Sequence, residues 1–129
     1  MAAERDVKKS FERYMLAFSD GDYPAIASLV SLPAIICQAS NTMEITSSEV
    51  VVKFMQQLRA SLPENYASTD ITQSDVTLLS DSLAALHGVY ERHTDSGGLI
   101  SRNQGLYVFR QDGSDWKMCC ITVMPDLPA

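Results

Sequence analysis

Three long apolar segments joined by two short glycine turns, filling residues 83–124, constrain this chain more than any other stretch. They read SLAALHGVYERH, LISRNQGLYVFR and DWKMCCITVM, with turns at Asp95-Ser96-Gly97-Gly98 and Asp112-Gly113-Ser114. Runs rich in Val, Ile, Leu and Tyr between Asp/Gly loops are the pattern of consecutive antiparallel strands. A sheet of that kind needs a second layer on one face, and the first half of the chain supplies helices for it.

From about residue 4 to residue 19, Val7, Phe11, Tyr14, Met15 and Phe18 form one stripe of an amphipathic helix, with Glu4, Arg5, Lys8, Lys9, Glu12 and Arg13 opposite. Asp20-Gly21 stops it, because glycine takes the left-handed conformation past a helix end. Asp22 caps a second, short helix with Pro24 in its first turn and Ile26, Leu29 and Val30 inward, ended by Pro33. The apolar run Ala34 to Cys37 turns at Ser40-Asn41 into Met43-Glu44-Ile45, a small hairpin. Thr46-Ser47-Ser48-Glu49 reads as a capping box with the Thr46 hydroxyl as cap. It opens a third helix with a stripe at Val51, Phe54, Met55, Leu58 and Leu62, ended by Pro63. ENYAST (residues 64–69) is expected to be a loop, and a strand is expected from Ile71 to Leu79. The order is helix, helix, hairpin, helix, then four strands: an α+β fold in a single domain, residues 1–129.

Formal net charge is −6 and no Lys/Arg cluster stands out, which argues against nucleic acid or an anionic membrane as partner. Three cysteines, Cys37, Cys119 and Cys120, two of them adjacent, are not a disulfide framework and suit a reduced compartment. No run of apolar residues is long enough for a signal peptide or a membrane span, so a cytoplasmic location is expected.

The phrase AFSDGDYPAIASLV and the ending GLYVFRQDGSDWKMCCITV resemble the nuclear-transport-factor-2-like superfamily and its SnoaL-like polyketide-cyclase branch, also described as a cystatin-like cone fold. The resemblance covers nearly the whole chain through structural motifs. It implies a curved antiparallel sheet wrapped around the N-terminal helices into a cone-shaped α+β roll, with a pocket at the open end, in a homodimer whose sheets face each other. The superfamily holds isomerases, dehydratases, cyclases and epoxide hydrolases as well as proteins that only bind, so it names no single activity.

The residues themselves support the dimer. The last strand is apolar on both faces, with Cys119, Ile121 and Val123 on one and Trp116, Met118, Cys120 and Met124 on the other; Leu106 and Val108 likewise alternate with Tyr107 and Phe109. A sheet apolar on both sides needs both covered, so a homodimer through the outer sheet face is expected.

Strand parity puts Ala84, Leu86, Gly88 and Tyr90 inside. Pairing through the two turns then brings Tyr107 to Leu86 and Cys119 beside Tyr107. The expected pocket is lined by Tyr14, Phe18, Cys37, Phe54, Leu58, Tyr90, Tyr107 and Cys119, with Arg92 at its rim able to hold a carboxylate, or else solvated at the strand end or paired with Glu91 or Asp95. Such a lining suits a small hydrophobic or aromatic ligand. The resembling isomerases carry a carboxylate base on the strand after the second helix, yet residues 31–38 read SLPAIICQ, without an acid. A lyase or isomerase acting on a cyclic substrate would have Tyr14 and Tyr107 as oxyanion donors and no identified base, Cys37 or a bound water being the candidates.

Other motifs resolve into ordinary chemistry. His87 and His93 lie six positions apart on one strand, roughly 20 Å, too far to share a metal, and Glu91 with His93 makes two ligands without a third. Asp95-Ser96-Gly97-Gly98 looks like the surroundings of a serine nucleophile but is accounted for as a turn. No phosphate loop or nucleotide fingerprint is present, and no metal or cofactor is expected.

Overall fold

In the computed structural model, which describes residues 2–123, the elements follow the expected order: α1 (Ala2–Asp20), α2 (Tyr23–Ser28), β1 (Val30–Gln38), β2 (Thr42–Ile45), α3 (Ser48–Ala60), β3 (Tyr66–Ser80), β4 (Leu83–Thr94), β5 (Leu99–Asp112) and β6 (Asp115–Val123). Met124, expected on the outer face, lies outside the described residues. The strands form one sheet in the order β2-β1-β6-β5-β4-β3. Every neighbouring pair is antiparallel except β1 and β6, which run parallel. The fold is therefore α+β, a curved sheet holding the helices on its concave side.

The α1 stripe is buried throughout, Val7 and Phe11 completely. Its end is a Schellman motif: the Asp22 amide donates to the Ala17 carbonyl at 2.8 Å, the Gly21 amide to Phe18 at 3.1 Å, and Gly21 has φ +69°. Arg59 of α3 completes this end, donating from Nε to the Phe18 carbonyl at 3.0 Å and from Nη2 to Ser19 at 2.9 Å. A cation there adds donors at the negative end of the helix, where carbonyls lack their i+4 amides.

Four expectations are corrected. The second helix ends at Ser28, not Pro33: Leu29 is its C-cap, and Val30 already belongs to β1. Pro33 fits inside that strand because the β1–β6 ladder shifts register between Val30 and Ile35, where a missing N–H leaves no bond unmade. The α3 N-cap is Ser47, whose hydroxyl accepts from the Val50 amide at 3.4 Å, not Thr46. Tyr66 to Thr69 is strand, not loop, and Tyr66 is tied to α1 through Ser19 at 3.1 Å.

The fourth correction concerns β6. Tyr107 does pair with Leu86, but its partner across β5 and β6 is Ile121, not Cys119. The ladder shifts register between Val108 and Phe109. A bulge of one residue reverses strand parity, so Trp116 and Met118 point inward on one side of it and Ile121 on the other, while Cys119 and Cys120 are half-buried. No helix among the described residues is long and apolar enough to cross a membrane.

Candidate functional site

The inner face changes character along β4 and β5. Through its middle run Ala84, Leu86 and Gly88 on β4 and Gly105, Tyr107 and Phe109 on β5. Gly88 and Gly105 are cross-strand partners, and each clears space for a ring. A Cβ at Gly88 would stand 2.6 Å from the Phe11 ring, and one at Gly105 would stand 2.6 Å from the Tyr107 hydroxyl. The two rings lie over this gap with centroids 4.9 Å apart. Farther along the same face the side chains turn polar: Tyr90 opposite Asn103, and Arg92 flanked by Ser101 and Thr69. The β5–β6 ladder ends at Tyr107 and Ile121, and the Thr122 hydroxyl donates to the Leu106 carbonyl at 2.8 Å just beyond it.

A cavity of about 40 Å³ lies between this polar stretch and the end of α1. Its floor is buried and formed by Tyr14, Met15, Phe18, Tyr90, Asn103 and Tyr107; half-exposed Leu58, Thr69, Arg92, Thr122 and Val123 mark its mouth. No carboxylate is among these lining residues.

The two innermost tyrosines differ in their hydrogen bonding. The Tyr14 hydroxyl donates to the Met55 sulfur at 3.9 Å, a poor acceptor. Burial pushes the Tyr14 hydroxyl well above its usual titration range, and a neighbouring Tyr90 charge would add to the rise. Burial likewise raises Tyr107, reinforced by Tyr90 and Tyr14 and by a side-chain hydrogen bond with Tyr90. Both hydroxyls therefore stay protonated across the neutral range and act there as donors, not bases.

Arg92 extends between two rings, its guanidinium carbon 5.4 Å from the Tyr90 centroid and 5.7 Å from that of Phe18. Its Nε is buried without a hydrogen-bond partner. The expected pairing with Glu91 or Asp95 is not made. Glu91 faces His93 at 3.5 Å on the outer surface, and the other ion pairs among the described residues are His93–Asp70 and Lys117–Asp112. His87 is held by Gln104 at 2.9 Å. Among the described residues no three His, Cys, Asp or Glu side chains stand close enough to hold a metal ion.

Six of the nine expected ligand residues meet at the cavity: Tyr14, Phe18, Leu58, Tyr90, Arg92 and Tyr107. Three do not. Cys37 is exposed, because Ala34 and Ile36 take the inward parity of β1. Cys119 is carried off the inner face by the bulge, and its thiol reaches the Val108 carbonyl at 3.5 Å. Phe54 packs against the core without reaching the cavity. Asn103 was missed, although it shares the parity of Tyr107 and Phe109 and is buried.

A family profile described as "NTF2-like protein (DUF6841)" matches residues 3–126. No curated protein matches the chain. Among solved structures, it is similar to a Nostoc punctiforme protein of unknown function with a cystatin-like fold, at 6% identity and a TM-score of 0.82, covering 98% of this chain and 92% of that one. An NTF2-like protein with a cystatin-like fold from Novosphingobium aromaticivorans is 15% identical, with a TM-score of 0.74 and coverage of 94% and 80%. A candidate scytalone dehydratase from the same organism is 12% identical, with a TM-score of 0.75 and coverage of 94% and 82%. At such identities the likeness is one of fold.

Proposed function

Because this chain belongs to the NTF2-like family DUF6841, we propose that it is a binding protein that takes up one end of a small, mostly apolar or aromatic organic molecule in the mouth of its cone, as a homodimer. The observation that supports this most is the composition of the cavity: three tyrosines, Asn103 and Arg92 over an apolar wall, with no carboxylate among its described lining residues. Proton transfer at neutral pH needs a group that titrates there, and burial moves Tyr14 and Tyr107 the other way. A lyase or isomerase using those hydroxyls as oxyanion donors would have no base among the described lining residues, and Cys37 stands on the other side of the sheet.

Size refines the ligand. A dry cavity of about 150 Å³ is what holds benzene, whereas this one is about 40 Å³. An end group of a few heavy atoms enters, and the remainder of the molecule lies across Leu58 and Val123. The test is thermal unfolding with a panel of small aromatic compounds. Several degrees of stabilisation for the wild type, lost in Tyr14→Phe and Tyr107→Phe, is the expected result. No stabilisation by any compound would remove the reading, and equal stabilisation of the variants would leave the hydroxyls as packing groups.

The dimer reading rests on the outer face. Ile35 and Leu106 are 44% and 43% exposed there, with half-buried Cys120 and Val108 alongside. Ile35, Cys120 and Val108 are neighbours in register across β1, β6 and β5. A second copy laid over this row would cover it.

A further inference from the structure

We infer that the end group is a compact anion, a carboxylate by chemistry and size, and that Arg92 is its anchor; this rests on the ligand-binding reading above. The two arginines near the site make the contrast. Arg59 has its Nε and Nη2 committed to the carbonyls that close α1, so its place is explained by the fold. Arg92 has no such commitment: its Nε is out of contact with solvent and unpaired, and no carboxylate of the described residues approaches it. A buried donor left unmade is costly, and this one calls for a partner that the described residues do not supply.

Its surroundings fit that partner. Phe18 and Tyr90 stack near the guanidinium and limit the orientations it can take, while the cavity it borders also holds the Tyr14 hydroxyl. The Tyr14 hydroxyl has a thioether as its acceptor and stays protonated. A space of about 40 Å³ bordered by Arg92 and Tyr14 suits an acceptor-only group of three heavy atoms, and a planar carboxylate matches a guanidinium fork in shape as well as charge. A phosphate dianion would bring about twice the charge to a single arginine, so inorganic phosphate is expected to bind poorly.

The experiment is calorimetric titration at fixed ionic strength with sodium benzoate, its neutral counterparts benzamide and benzyl alcohol, and inorganic phosphate. The proteins are the wild type, Arg92→Met and Arg92→Lys. Benzoate is expected to bind the wild type about tenfold or more tightly than either neutral compound, as a charge-assisted hydrogen bond implies. Arg92→Met is expected to lose that preference while still binding benzyl alcohol, and Arg92→Lys to keep part of it. Because the unpaired Nε goes with the side chain, the ligand-free Arg92→Met protein should melt within a few degrees of the wild type. If that variant does not fold, the comparison of benzoate with benzamide on the wild type and Arg92→Lys decides alone. Equal affinity for benzoate and benzamide, or benzoate preference surviving in Arg92→Met, overturns the anion inference and leaves the binding reading standing. Phosphate binding tighter than benzoate overturns the carboxylate assignment. Binding of none of the four defeats both.

Discussion

Single atoms decide how the inner face is built. Gly88 is required by the Phe11 ring, and Gly88→Ala would force a methyl group to within 2.6 Å of it. Phe11 is fully buried in the core cluster, so the substitution should destabilise the protein by about 1–3 kcal/mol, read from urea denaturation. Tyr14 and Tyr107 give a second prediction. Burial raises both above the usual tyrosine value, so above about pH 10 the unfolded chain has released protons that the folded chain still holds. Their contribution is fully present below that pH and is lost as pH rises, so stability should fall in alkali, and Tyr107→Phe should flatten the fall. At this scale the sequence was legible where parity ran undisturbed: Tyr90, Arg92 and Tyr107 were placed by counting along one face. Cys119 was misplaced because nothing in WKMCCITV announces a bulge, and Cys37 because the parity of β1 depends on where the strand begins.

Elements were easier to read than their ends. Helical stripes at Val7 to Phe18 and Val51 to Leu58 are long enough to be unambiguous, whereas the Thr46-Ser47 pair offers two adjacent hydroxyls for one cap. The structure assigns that cap to Ser47, so Ser47→Ala should cost about 1 kcal/mol and Thr46→Ala much less, a difference that thermal unfolding of the two variants would show. Arg59→Ala should cost about 1–2 kcal/mol, because it strips two charge-assisted hydrogen bonds from the carbonyl end of α1 at a partly buried site. Protection of the Gly21 and Asp22 amides from hydrogen exchange should drop with it. The first residues of β3 escaped notice because Tyr66, Ser68 and Thr69 are polar, and Tyr66 and Thr69 are held by the Ser19 hydroxyl of α1, not by an apolar alternation.

For the molecule as a whole, the α+β architecture followed from element order, and the curved sheet from the resemblance carried by its motifs. The parallel pairing of β1 with β6 is a long-range contact that no local pattern encodes. Cavity size was equally hidden, since it is what remains after every neighbouring side chain has packed, and at about 40 Å³ it is smaller than a whole benzene ring needs. If the outer row of Ile35, Cys120 and Val108 with nearby Leu106 is covered by a second copy, light scattering at micromolar concentration should give twice the chain mass, and Leu106→Lys should return a monomer. The account turns on whether the mouth of the cone is where a ligand sits, and the most direct measurement is a map of backbone amide shifts during titration with benzoate. Perturbations concentrated at Tyr14, Phe18, Tyr90, Arg92 and Asn103 are the predicted result; a saturable response confined to the outer face, or none at all, would contradict it.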